Sequence, residues 1–216
     1  MTTSRTRRAL ATTALALALL PLGASAADAK TSKAPLCENR AGTDLVAAGA
    51  YRVLRTFAPS KSDPDAGTLR VTTCRLGSRS ANVIVKHASS LDSFMRINDA
   101  AFSSAKNKVA LAITVESGSA LSGRVAQFDL KTGKETAKAY GCDIREVWAG
   151  KSGGFAFEDG VVKIADAAGL RTAGAMGATD FALGGDTLYW TEVDATTSEK
   201  LGAAPTGTLG EIVDCG

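Results

Sequence analysis

In 216 residues, 25 lysines and arginines face 22 aspartates and glutamates, and the first 26 residues hold three of those bases and no acid, so the remainder balances at 22 of each. A neutral chain without a basic run has no electrostatic footprint for phosphate backbones, which excludes nucleic acid as an expected partner. Hydrophobic residues make up 45% of the chain and histidine occurs once, so a packed core is within reach while histidine-based chemistry has a single candidate.

The chain opens on Arg5, Arg7 and Arg8, continues as an apolar run over 9–20, and reaches the small residues Ala24-Ser25-Ala26. That order of positive, apolar and small segments is a secretory signal peptide over 1–26, and it predicts a secreted or extracytoplasmic protein of the cell envelope. Pro21, Gly23 and Ser25 interrupt the run short of the roughly 20 apolar residues a bilayer span needs, and no later stretch is long enough, so no membrane span is expected after signal removal. Residues 27–36 are small, polar and lysine-containing, and read as a flexible leader. Residues 37–216 then form one β domain.

Within that domain the alternation of apolar and polar residues lays out four groups of four short strands. The first group covers 44–49, 51–58, 68–76 and 82–87, and the second covers 94–102, 109–115, 123–130 and 135–140. The third runs over 143–149, 154–158, 161–165 and 170–175, and the fourth over 180–183, 187–193, 199–203 and 210–214. Turn residues separate them: Pro64-Asp65-Ala66-Gly67, Thr132-Gly133, Glu158-Asp159-Gly160 and Gly184-Gly185-Asp186, where glycine takes positive φ without a steric penalty. Two Asp-plus-glycine turns, at Asp129 to Gly133 and Asp166 to Gly169, each follow an alternating strand and stand 166 − 129 = 37 residues apart. Repetition of a four-stranded unit at about that period is the sequence signature of propeller blades. Helical periodicity is absent after the signal; 91–105 is the one stretch with room for a helical turn, and strand and loop fit it better. The fold class predicted is all-β, a small β-propeller or a propeller-like arc of about four four-stranded antiparallel sheets.

Cys37, Cys74, Cys142 and Cys215 are an even set in an exported chain, which predicts two disulfide bonds. Three pairings are open. The reading favours Cys37 with Cys74, tying the leader to the first unit, and Cys142 with Cys215, tying the third unit to the C-terminal end; Cys37 with Cys215 would instead clasp the two ends.

Leu188-Tyr189-Trp190-Thr191-Glu192 resembles the second blade strand of YWTD-type propellers, and Phe128-Asp129-Leu130-Lys131-Thr132-Gly133-Lys134 is similar to the turn of quinoprotein-type repeats. The run of features from Cys37 through Tyr51-Arg52-Val53 and Cys74-Arg75-Leu76-Gly77 to the late Leu-Tyr-Trp strand resembles a group of uncharacterised secreted bacterial proteins. These resemblances imply fold and export. Ala137-Lys138-Ala139 stands where the quinoprotein blade carries its tryptophan, so no cofactor is expected.

Signals for chemistry are sparse. His87 is the sole histidine, and alternation would set it on the strand face of Val83 and Val85; no Gly-x-Ser-x-Gly elbow accompanies it. Gly150-Lys151-Ser152-Gly153 matches the end of a phosphate-binding loop, but Arg145 occupies the position of its first glycine, so a hairpin turn is expected. Asp63 and Asp65 stand two apart before Gly67 without the later bidentate glutamate of a calcium loop, and no metal site is expected. Paired carboxylates for glycoside hydrolysis remain as an enzymatic alternative, with Glu116, Glu146, Asp180 and Glu192 as candidates. Trp148, Tyr189 and Trp190 are candidate ligand-facing aromatics, with burial between sheets the competing role for each. The function expected is a non-catalytic, propeller-like binding or structural protein with an unknown protein or carbohydrate partner; the alternative is a small extracellular hydrolase.

Overall fold

The structure, a computed structural model, describes residues 33–212 and Cys215. The signal peptide over 1–26, and the part of the leader up to residue 32, lie outside the described residues. Ala34 to Leu36, at the end of the expected leader, belong to the same compact unit as the domain. Arg79 Nη1 donates to the Ala34 carbonyl at 2.6 Å, which fastens this segment to the first sheet.

The described chain is all-β, with sixteen strands in four sheets. Sheet A is the meander β1 (Thr43–Ala48), β2 (Tyr51–Pro59), β3 (Gly67–Arg75) and β4 (Ala81–Ser89). Sheet B holds β5 (Ser93–Ser103), β6 (Lys108–Ser117), β7 (Ala120–Asp129) and β8 (Glu135–Gly141). Sheet C holds β9 (Val147–Ala149), β10 (Phe155–Glu158), β11 (Val162–Asp166) and β12 (Gly169–Gly174), and sheet D holds β13 (Thr179–Gly184), β14 (Thr187–Glu192) and β15 (Ala195–Lys200). The last strand, β16 (Gly207–Leu209), pairs in parallel with β8 and makes sheet B five-stranded. The stretch 91–105 is strand followed by a 3-10 turn at Ser104–Lys106.

The sheets stack face to face in chain order. Val53, Leu69, Val71 and Val85 of sheet A pack against Val109, Leu111, Ile113 and Phe128 of sheet B. The opposite face of sheet B presents Ala110, Ala112, Val125 and Ala139 to Phe155, Phe157 and Ala165 of sheet C. The other face of sheet C offers Ala156, Val162 and Ile164 to Leu188 and Trp190 of sheet D. A sheet covered on both faces cannot alternate apolar with polar, which is why Val109 to Ile113 reads as an unbroken apolar run with every residue fully buried. Large side chains of that run face sheet A and its alanines face sheet C, so one strand fits two neighbours of different bulk. A strand of an end sheet, covered on one face, does alternate: in β14, the middle strand of sheet D, Leu188 and Trp190 are buried while Tyr189 between them is exposed.

Polar contacts repeat at each seam. Asn82 Nδ2 of sheet A donates to the Lys131 carbonyl of sheet B at 3.1 Å. Between sheets B and C, Asp99 Oδ2 accepts the Val147 N–H at 2.9 Å and the fully buried Gln127 donates to the Gly153 carbonyl at 2.7 Å. Between C and D, Asp186 Oδ1 accepts the Ser152 N–H at 2.7 Å. Each satisfies a backbone group that stacking would otherwise strand away from water.

Two expectations for the fourth strand group are corrected. The strand expected over 199–203 is β15, which begins at Ala195, because β14 and β15 are joined by a tight hairpin with Val193 and Asp194 both at positive φ, 45° and 67°. The strand expected over 210–214 is not the fourth strand of sheet D: the chain leaves that sheet at Leu201, buried beside Leu188 and Trp190, and returns to pair with β8 as β16. Val213 and Asp214 lie outside the described residues. The Asp129 and Asp166 turns fall at equivalent places, between the third and fourth strands of sheets B and C. Disulfides join Cys37 with Cys74 and Cys142 with Cys215, as the favoured pairing has it.

Candidate functional site

A cavity of about 480 Å³ lies on the face of sheet A turned away from sheet B, and its wall is Leu54 and Thr56 of β2, Arg70 and Thr72 of β3, Ala81 and Val83 of β4, and Pro35, Arg40 and Arg79 from the flanking chain. Its shape depends on a β-bulge. Val71 pairs with Val85 but the next residue, Thr72, pairs with Val83, so Ile84 is left over in β4. Ile84 and Val85 therefore both pack toward sheet B while Val83 turns outward, 53% exposed. This corrects the expectation that Val83 and Val85 share a face, and it brings Val83 and Ala81 into the cavity wall.

The polar part of that wall is cationic. Arg40 Nη2 donates to the Arg79 carbonyl at 2.5 Å and Arg79 Nη1 to the Ala34 carbonyl, so two of the arginines are held by backbone rather than by carboxylates. Arg40 Nε is buried and meets no hydrogen-bond partner among the described residues. Below the cavity, Cys37, Leu54 and Cys74 form a small buried cluster, so the first disulfide braces its floor. Nearby, Arg52 closes a bidentate pair with Asp44 at 2.9 Å and donates to the Cys37 carbonyl at 2.8 Å. The hydrogen bond and charge of Arg52 hold the Asp44 carboxyl below its ordinary pKa.

A second cleft of about 430 Å³ is lined by Arg96, Asn98, Thr114, Glu116, Asp143 and Arg145, between one end of sheet B and the chain entering sheet C. Each acid there has an arginine of its own: Arg96 stands 3.8 Å from Glu116, and Arg145 Nε donates to Asp143 at 2.9 Å.

The candidate acids are engaged separately. Glu116 lies in the second cleft, the Glu192 carboxylate accepts the Ala175 N–H, and Asp180, at φ 55°, accepts the Thr179 hydroxyl at 3.1 Å, whereas Glu146 is tied by its backbone, whose carbonyl accepts the Glu158 N–H at 3.1 Å. Glu116 lies in sheet B, Glu146 in the chain just before β9, and Asp180 and Glu192 in sheet D, and neither of the two cavities described above has two of the four in its wall. Strongly held carboxylates lie elsewhere, in turns. Burial opposes ionisation of Asp159, yet the Lys163 ammonium and the N–H groups of Asp143 and Cys142 outweigh it and hold the carboxyl low. Asp166 behaves alike: burial is overcome by the N–H groups of Gly202 and Ala168 and by Arg171. Acids so firmly ionised serve as acceptors that fix loops, the opposite of the raised pKa a general acid needs.

The remaining candidates have structural settings. His87 Nε2 and Ser93 Oγ stand 3.4 Å apart, long for a hydrogen bond, with no carboxylate on the other ring nitrogen among the described hydrogen bonds. The Gly150 to Gly153 segment is the hairpin between β9 and β10, with the Gly150 N–H donating to Gly154 O at 2.9 Å and Ser152 bound to Asp186. Asp63 Oδ1 accepts the Asp65 N–H at 2.9 Å, which is a turn closing on itself, and among the described residues no group of three or more metal-ligating side chains stands together. Of the aromatics, Trp190 is 1% exposed between sheets C and D, and Trp148 lies against Phe181 at 4.7 Å in the same seam. Tyr189 alone faces outward, on the open face of sheet D.

The arginine-lined cavity was missed in reading the sequence, although a signal for it exists in the charge order. Residues 33–89 carry nine bases and four acids, a net +5, while 90–216 carry twelve bases and seventeen acids, a net −5. A balanced total conceals this division.

Comparison with family models, with curated proteins and with solved structures finds no match to this chain. Among the described residues no helix is long and apolar enough to cross a membrane.

Proposed function

We propose that this chain is an exported, non-catalytic binding protein built on a propeller-like arc, with the outer face of sheet A as its ligand-facing surface. The observation that carries the reading is the composition of the sheet A cavity: its wall contains no carboxylate, histidine, serine or cysteine, so its two threonine hydroxyls have no carboxylate or imidazole in the wall to activate them, while arginine donors stand beside apolar surface. Chain-order stacking of the sheets, with β1 beside β5 and β5 beside β9, supports the propeller-like description, since the first strand of each unit neighbours the first strand of the next. The predicted signal peptide and two disulfides support export into an oxidising compartment.

The test is a turnover assay of the mature chain against chromogenic glycosides and esters. The expected result is no rate above the buffer blank, and no difference between the parent and an Asp180→Asn, Glu192→Gln double variant. A rate present in the parent and lost in that variant would replace this reading by the paired-carboxylate hydrolase.

A further inference from the structure

We propose that the sheet A cavity binds a small oxyanionic ligand, one carrying phosphate or carboxylate groups, with Arg40, Arg70 and Arg79 as its cationic contacts. The inference rests on the binding reading above and adds the chemical class of the ligand.

Several independent observations converge on it. The cavity holds three arginines and no acid. Of the seven described arginines outside the cavity four are neutralised: Arg52, Arg96, Arg145 and Arg171 each lie within 4.0 Å of a carboxylate. Six of the ten arginines among the described residues have no such partner, and five of those six, the three cavity arginines with Arg55 and Arg75, fall in residues 33–89. Guanidinium groups left without a carboxylate on one face attract anions, and their planar forks match phosphate and carboxylate oxygens in pairs. Arg40 Nε is a buried donor whose hydrogen bond is unmade within the described residues, a costly state that leaves this guanidinium without a carboxylate to hold it. Thr56 and Thr72 supply hydroxyls at the same wall, and Pro35, Leu54, Ala81 and Val83 supply apolar surface. A wall of that composition suits an organic anion better than a bare inorganic ion. The competing occupant is the end sheet of a second copy, because residues 179–200 of sheet D carry five acids and one base. A concave, half-open volume of about 480 Å³ favours the small ligand over a flat sheet face.

Calorimetric titration of the full mature chain with pyrophosphate and with citrate, at low and at raised salt, tests the proposal, with phosphatidylglycerol and phosphatidylcholine vesicles as parallel arms. The expected result is saturable binding of one of the two free anions, weakening with salt. Arg70 is exposed with no side-chain partner among the described residues, so Arg70→Glu should fold normally and weaken binding by about tenfold or more, Arg70→Lys should fall between, and the turn variant Lys134→Glu should match the parent. Absence of binding to both free anions, binding confined to phosphatidylglycerol vesicles, or affinity indifferent to Arg70→Glu would each overturn it. So would concentration-dependent self-association abolished by Arg70→Glu, which would place a second copy on the face. Failure here with no catalytic turnover leaves the non-catalytic reading intact, whereas turnover lost on changing Asp180 and Glu192 removes that reading by itself.

Discussion

Asp166 gives the sharpest test of how the stack is held together. Its side chain is 3% exposed, and its two oxygens accept the Ala168 N–H, the Gly202 N–H and the Arg171 guanidinium, each at 2.9 Å. Arg171 continues to Glu199 of β15 at 2.6 Å, so one carboxylate joins the β11 turn of sheet C to both the last strand of sheet D and the segment that follows it. Asp166→Ala removes all three acceptances, and leaves the half-buried Gly202 N–H and the exposed Ala168 N–H to find water. Hydrogen bonds to a charged group contribute about 1.5–3 kcal/mol each, and three of them, discounted because water replaces the acceptor at exposed and half-buried donors, predict a loss near 3 kcal/mol. For a domain of this size that lowers Tm by roughly 6–12 °C. Asp166→Asn keeps the shape and one acceptor oxygen, and should lose about 2 kcal/mol. The pH dependence fixes the cause. The folded carboxyl is held below its ordinary value of 3.8, so its stabilisation is present above that value and is lost as the pH falls through it toward the depressed folded value. Urea unfolding of parent and Asp166→Asn at pH 7 and pH 3 should therefore show a gap that narrows at the lower pH. A gap of equal size at both, or one under about 0.5 kcal/mol at pH 7, would refute the argument.

Further predictions follow from the covalent and backbone features. Replacing both Cys142 and Cys215 by serine opens a loop of 73 residues and replacing Cys37 and Cys74 opens one of 37; each pair should cost about 4 kcal/mol by chain entropy, with the 73-residue pair slightly worse, read by thermal unfolding. At the β14–β15 hairpin, a β-branched residue sits at φ 45° while 99% exposed, so nothing is packed there that a change would lose. Val193→Asn combined with Asp194→Gly supplies the residues that such a turn favours, and should raise stability by about 1 kcal/mol. An unchanged Tm would show that the positive φ carries no strain.

Much of the fold was legible because strands and turns are local. Alternation placed twelve strands close to where β1 to β12 stand, although β9 keeps only the end of the stretch expected over 143–149; the Asp129 and Asp166 turns fell at equivalent corners, and of three open disulfide pairings the favoured one forms. β15 was harder to place. Its sequence, Ala-Thr-Thr-Ser-Glu-Lys, has no apolar face, since it is an edge strand largely open to water, and hydrophobic periodicity is silent for such a strand. The site was less legible than the fold: no motif marks Arg40, Arg70 or Arg79, and only a running charge count over 33–89 would have singled out their sheet.

By itself, then, the amino-acid order determined the strand class, the positions of most turns and the number of covalent ties, all of which depend on neighbours a few residues apart or on a count of cysteines. Tertiary structure alone decided that Ile84 is bulged and Val83 faces outward, that β16 crosses back to β8 instead of completing sheet D, and that three arginines from β3 and the chain flanking η-turn Cys37–Asn39 and β4 share one wall. A bulge is set by the partner strand's register, a crossover by which sheet edge is open when the chain returns, and a shared wall by folding distant segments together. Each depends on contacts between residues far apart in the chain, about which local pattern carries no information.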